Sequence, residues 1–253
     1  MHNYIVEDWN GFECRNFEFE GRRAKIVLPK SKDLKGRWLL KTEYFGAFPA
    51  FELEMLSRGY HLAYVANVTR WMIPDDVDVK SRFADFLAEE YGLNSRCVPV
   101  GMSCGGLQAV YFAAKYPERI AALYLDAPVF NLLSCPAGIG KKGNTAMLDE
   151  FTAATGITYH DLINYRNHPI DQKEKILDAK IPVFMVYGDS DVVVPYDENG
   201  AVFEKYYRAN GGIIESVGKP GCGHHPHGLD DNTPICEFVE KYYNLCDVNS
   251  TCV

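Results

Sequence analysis

Apolar and polar positions follow two rhythms along this chain. Residues 17–20, Phe-Glu-Phe-Glu, alternate with a period of two, and a mostly apolar run over residues 24–28 is stopped by Pro29. With Gly21 between them, the two predict an antiparallel pair opening a sheet. After a polar loop at 31–36, continuous apolar runs follow at 37–42, 61–66, 97–100, 120–126, 182–187 and 213–217. Such runs suit strands buried on both faces. Patterns of helical period lie between them at 50–57, 77–91, 107–116 and 199–209, and a last one at 233–245. Gly59 and Gly92 stop two of these helices. Strands alternating with helices predict right-handed crossovers and a mostly parallel α/β sheet covered on both faces. The alternation lapses at about 128–180, where short helical patterns at 147–154, 160–166 and 172–177 predict a small helical cap over the sheet edge. No repeat or linker is visible, so 1–253 is expected to form one domain carrying that insertion.

Composition narrows the picture. The 253 residues are 47% apolar and 24% charged, with a formal net charge of −8. That acidity disfavours nucleic acid or an anionic membrane as the main partner. No run of about 18 apolar residues predicts a membrane span. The first residues lack a basic segment followed by an apolar one, so a cytoplasmic location is expected. Eight cysteines occur without a Cys-x-x-Cys pair, so structural zinc is not expected. Free thiols in a reducing compartment are the expectation, with Cys236, Cys246 and Cys252 the first disulfide candidates otherwise. No cofactor is implied.

The candidate chemistry centres on Gly101-Met102-Ser103-Cys104-Gly105. It follows an apolar strand and opens a helix, which puts a serine at the apex of a turn kept tight by Gly101 and Gly105. A serine hydroxyl needs a base near pH 7, and a neutral histidine suits that task. A carboxylate must then orient the imidazole. Downstream acids at strand ends are Asp126, Asp189 and Asp191. Asp189 directly follows Gly188 and suits a turn-tying role; Asp191 is preferred as the acid, with Asp126 its rival. Three of the seven histidines lie in Gly223-His224-His225-Pro226-His227. His224 is preferred as the base and His225 comes second. Adjacent His224 and His225 are expected to point apart, with no carboxylate at ligand spacing, so no metal site is expected. Cys104 as nucleophile would lose the leading glycine of the turn.

Together with Gly188-Asp189-Ser190-Asp191-Val192-Val193-Val194-Pro195 and Gly221-Cys222-Gly223-His224, the serine turn resembles the α/β-hydrolase superfamily over about residues 22–245. The resemblance implies an α/β-hydrolase fold, with Ser103 as nucleophile, Asp191 as acid and His224 as base. It implies oxyanion donors from the N–H of Cys104 and from the loop after strand 37–42. Many relatives carry His-Gly there, whereas this chain has Glu43-Tyr44-Phe45-Gly46; Phe45 is the expected donor, then Tyr44. Glu43 to Pro49 and Lys219 to His227 look like a bacterial group of small hydrolases near prolyl oligopeptidases and carbohydrate esterases. Tyr44, Trp71 and Phe130 are candidate substrate contacts. The expected reaction is hydrolysis of a small carboxylic ester, such as a short acyl ester of a sugar, through an acyl-enzyme. A small peptidase or amidase is the alternative, and a catalytically silent receptor a third reading. Nothing indicates an oligomer.

Overall fold

The structure, a computed structural model, describes residues 3–31, 35–141 and 143–250, the last five by backbone only. Strands β1 (Ile5–Trp9), β2 (Phe12–Phe19) and β3 (Arg22–Val27) form an antiparallel meander. The alternation of Phe17 and Phe19 places both rings against Phe83 and Phe86 of a covering helix. Strand β1 is a difference from the sequence pattern. Its residues are nearly all exposed, so no apolar period marks it; backbone pairing to β2 holds it at the sheet edge, helped by the Glu7–Lys25 ion pair at 2.8 Å.

The chain then alternates: β4 (Trp38–Lys41), α1 (Ala50–Ser57), β5 (His61–Val65), α2 (Pro74–Tyr91), β6 (Val98–Met102), α3 (Cys104–Lys115) and β7 (Leu123–Asp126). Helix α2 begins at Pro74, where a proline fits because the first turn needs no N–H donor, and ends on Gly92 in the left-handed region. Short helices α4 (Leu148–Thr155), α5 (Tyr159–Asn164) and α6 (Lys173–Asp178) separate β7 from β8 (Val183–Gly188). Helix α7 (Gly200–Ala209), β9 (Ile214–Lys219) and α8 (Thr233–Ser250) follow.

All described strands join one nine-stranded sheet in the order β1-β2-β3-β5-β4-β6-β7-β8-β9, parallel from β5 to β9. One buried cluster packs α2, α3 and α7 on one face, and the other packs α1 and α8 on the opposite face. Both faces of the sheet are therefore covered, and side chains that react with solvent species must sit at an edge. A sheet that doubles back in order at β4 and β5 opens a crevice at the carboxyl ends of its strands, and β4, β6 and β8 all lead there. Beneath that edge Lys41 and Glu52 form a buried ion pair, with the Lys41 ammonium 3.2 Å from Met102 Sδ.

The described cysteines, Cys14, Cys97, Cys104, Cys135, Cys222 and Cys236, form no disulfide. Cys246 and Cys252 lie outside the residues whose side chains are described. No helix among the described residues is long and apolar enough to cross a membrane.

Candidate active site

Strand β6 runs straight into the turn that carries Ser103. The serine adopts φ 53° and ψ −120°, and α3 starts at the next residue. This strained backbone turns the hydroxyl out of the sheet and leaves the Cys104 N–H at the positive end of the helix. The close packing that permits the turn is at Gly101 and Gly106. A Cβ on Gly101 would lie 2.7 Å from the Gly105 carbonyl oxygen, and one on Gly106 would lie 2.4 Å from Pro128 Cβ. Gly105 is roomier: its nearest neighbour would be Thr42 Oγ1 at 3.2 Å. Sequence spacing pointed to Gly101 and Gly105; the backbone of Pro128, far along the chain, makes Gly106 the more constrained.

Asp191 leaves β8 on a loop that the residues themselves tie down. Its Oδ1 accepts the N–H groups of Val193 and Val194 at 2.8 and 2.9 Å, and its Oδ2 meets His224 Nδ1 at 2.7 Å. His224 Nε2 then lies 3.0 Å from Ser103 Oγ. The three side chains chosen from the sequence thus stand in one hydrogen-bonded line. Burial raises the Asp191 carboxyl, but the bonds from His224, Val194 and Val193 outweigh it and hold the group below the usual carboxylate range. The loops bearing Asp191 and His224 are cross-linked. Asp189 N–H donates to Lys219 O at 3.3 Å, Ser190 N–H to Cys222 O at 3.0 Å, and Gly221 N–H to Asp189 Oδ1 at 2.7 Å.

The loop after β4 faces Ser103. Thr42 Oγ1 donates within reach of both Val100 O and Gly105 O, at 3.0 and 2.7 Å, fastening the loop to the turn. Glu43 is the first residue of this loop to reach back onto its own backbone. One of its oxygens accepts Asn67 Nδ2 at 2.6 Å and the other accepts the Tyr44 N–H at 3.2 Å. Lys80, fully buried, donates to Asn67 Oδ1 and to Gln108 Oε1, which fixes the far end of this chain of bonds. With the Tyr44 N–H so engaged, Phe45 offers the next N–H on the loop. The Phe45 ring turns away from Ser103 and packs between Trp9 and Tyr64 at 5.3 and 5.5 Å.

A cavity of about 320 Å³ opens at Ser103. Tyr44, Ala47, Met102, Cys104, Cys135, Met147 and Val193 give it a largely apolar wall, and Arg70 supplies the cationic corner. Arg70 Nε donates to Glu150 Oε1 at 2.8 Å, which ties the loop after β5 to α4. Burial pushes the Cys104 thiol up to about 12, so it stays protonated beside the serine.

Two expected substrate contacts are corrected. Trp71 is 2% exposed and stacks edge-on to Phe151, 5.5 Å between centroids, as a support for α4. Phe130 is fully buried against Phe203 at 5.0 Å. Both sit on loops near the site, but their rings are buried in the core. Tyr44 does line the cavity.

The histidine loop also differs from expectation. The rings of His224, His225 and His227 converge, with centroids 4.9–5.0 Å apart. The loop curls because Lys219 Nζ reaches across it to Pro226 O and Gly228 O. Asp126, the rival acid, is engaged elsewhere: Oδ1 meets His227 Nδ1 at 2.7 Å and Oδ2 accepts the Gly228 N–H at 2.6 Å. Sequence reasoning missed His227. Its one signal was the strand-end position of Asp126, which needs a partner once buried.

The chain matches the prolyl oligopeptidase family over residues 57–245. No curated protein matches it. Among solved structures it is similar to Pyrococcus horikoshii acylaminoacyl peptidase, at 17% identity and TM-score 0.67, covering 86% of this chain and 40% of that one. It is similar to Est1E from Butyrivibrio proteoclasticus at 16% identity and TM-score 0.60, covering 96% of this chain and 97% of that one. It is also similar to acetyl xylan esterase 1 from Thermoanaerobacterium sp. JW/SL YS485, at 16% identity and TM-score 0.64, covering 96% and 89%. The chain spans about two fifths of the length of the acylaminoacyl peptidase. The architecture shared with these structures is the α/β-hydrolase fold.

Proposed function

The chain belongs to the prolyl oligopeptidase family, a family of serine hydrolases, and from that premise we propose that it hydrolyses small carboxylic esters through an acyl-enzyme. The observation that carries this reading is the line from Ser103 Oγ to His224 Nε2 at 3.0 Å and from His224 Nδ1 to Asp191 Oδ2 at 2.7 Å. As Ser103 Oγ attacks the ester carbonyl carbon, its proton passes to His224 Nε2. Asp191 holds the tautomer that leaves Nε2 free and stabilises the imidazolium. The carbonyl oxygen, now negative, is met by the N–H groups of Cys104 and Phe45; one such donor is worth about 3–4 kcal/mol. Collapse expels the alcohol, which takes the proton from His224. A water then repeats the sequence and releases the acid.

The cavity beside Ser103 supports a small, mainly apolar acyl group. Both esterases named above are matched over most of their own length, which supports an ester over a peptide bond. The family match and the acylaminoacyl peptidase likeness favour a second reading, cleavage of short peptides or amides at the same Ser103.

A fluorophosphonate probe tests the shared step: wild type is expected to label and Ser103→Ala to stay blank. Labelling that survives Ser103→Ala overturns the nucleophile. Turnover of p-nitrophenyl acetate and acetylated sugars above that of aminoacyl anilides is the expected ranking; the reverse order establishes the peptidase reading.

A further inference from the structure

Only one of the three converging histidines has a part in the reaction above. The other two are built into the same wall of the cavity: His227 is 9% exposed, and His225 stacks on Phe48 at 5.4 Å. Each of the three offers a donor atom within 4.8 Å of the other two. Two of them also have a buried carboxylate on Nδ1, Asp191 behind His224 and Asp126 behind His227, both at 2.7 Å. Asp126 is itself fixed by the Gly228 N–H and by Tyr124 Oη at 3.2 Å. A carboxylate on one ring nitrogen sets the tautomer and makes the other nitrogen a better donor to a metal, the arrangement found behind metal-binding histidines. For His227 that second nitrogen, Nε2, has no role in ester hydrolysis.

We propose that His224, His225 and His227 bind a single zinc-type divalent transition-metal ion, and that its occupancy switches the hydrolase off. Three imidazoles at about 2.0–2.1 Å leave a fourth tetrahedral position for water or an oxygen ligand. An all-imidazole set selects zinc, copper or nickel over magnesium or calcium, which prefer oxygen. Drawing the nitrogens together requires movement, and exposed His225 is the ring free to supply it by rotation. The ion and the Ser103 proton compete for one atom, His224 Nε2, which lies 3.0 Å from Ser103 Oγ. The ion is therefore an inhibitor of this site rather than its cofactor. The loss of activity rests on the hydrolase reading; the binding of the ion does not.

The test uses the full chain freed of metal with a chelator and titrated with zinc chloride by calorimetry. One ion per chain is expected, with His225→Gln and His227→Gln each weakening it at least about tenfold. Asp126→Asn, which leaves all three rings in place, is expected to weaken it about 10–100-fold. Ester hydrolysis should fall on zinc addition and return with chelator. The inhibition midpoint in His225→Gln, taken relative to that variant's own metal-free rate, should rise by the same factor as its binding constant. Absence of saturable binding at micromolar zinc overturns the proposal, as does binding that both glutamine variants retain. Cobalt substitution showing a thiolate charge-transfer band that disappears in Cys222→Ser also overturns it, by placing the ion on the neighbouring cysteine. If neither esters nor anilides are hydrolysed, the hydrolase reading fails alone, and calorimetry still decides the metal site. His225 is exposed, so its variant keeps the test sound even if a buried one fails to fold.

Discussion

Asp191 and Asp126 are both buried carboxylates with a histidine on one oxygen, yet only one faces the serine through its partner. Asp191→Asn is expected to cost about 10⁴ in kcat with KM little changed, because it spoils the His224 tautomer. Asp126→Asn should cost far less, because its histidine does not contact Ser103; a steady-state comparison of the two variants on one ester decides between them. The same residue predicts a pH effect. The Asp191 pKa lies below its ordinary 3.8, so its ionised form contributes stability that is present above about pH 4 and lost as pH falls through the folded value. Thermal melts across the acid range should show wild type losing more stability than Asp191→Asn. The choice of Asp191 and His224 was legible because Asp191 lies just beyond Gly188 at the end of β8, and His224 directly follows Gly-x-Gly on the loop after the last strand. The His227–Asp126 pair was not, since it depends on how a loop closes 101 residues away.

Among the elements, the turn at Ser103 depends on which backbone lies behind it. Gly106→Ala would drive a methyl group into Pro128, whose Cα is also only 2.7 Å away, and overpacking against backbone typically costs about 1–3 kcal/mol. Gly105→Ala meets a hydroxyl at 3.2 Å and the Glu43 Cβ at 3.3 Å, which side-chain shifts can relieve. Urea unfolding should therefore rank Gly106→Ala well below Gly105→Ala; equal losses would contradict the geometry. Strand and helix positions from β2 to α8 were legible because buried parallel strands and amphipathic helices leave different periods. Strand β1 was not, since both its faces meet solvent. Trp71 and Phe130 were misplaced for a related reason: a loop aromatic reads alike whether it faces a substrate or props up the helix above it.

At the scale of the molecule, the edge of the sheet reaches the centre. Trp9 closes β1, and its ring lies 5.3 Å from that of Phe45, on the loop proposed to supply an N–H to the oxyanion. Trp9→Ala should leave the core intact and lower kcat by up to about 10², since small misplacement of a positioning group carries that cost. A matching rise in KM with kcat unchanged would refute the link. The three loops of the site are bonded to one another. The acid and base loops are stitched to each other by bonds among Asp189, Ser190, Lys219, Gly221 and Cys222, and the serine turn joins them through Asp126, whose carbonyl accepts the Ser103 N–H at 2.9 Å and whose carboxylate holds His227 and Gly228. Imidazole, carboxylate and serine are thereby held by one connected set of bonds. The 3.0 Å gap between Ser103 and His224, the step on which the proposed proton transfer depends, is thus braced from behind by a residue that takes no part in it.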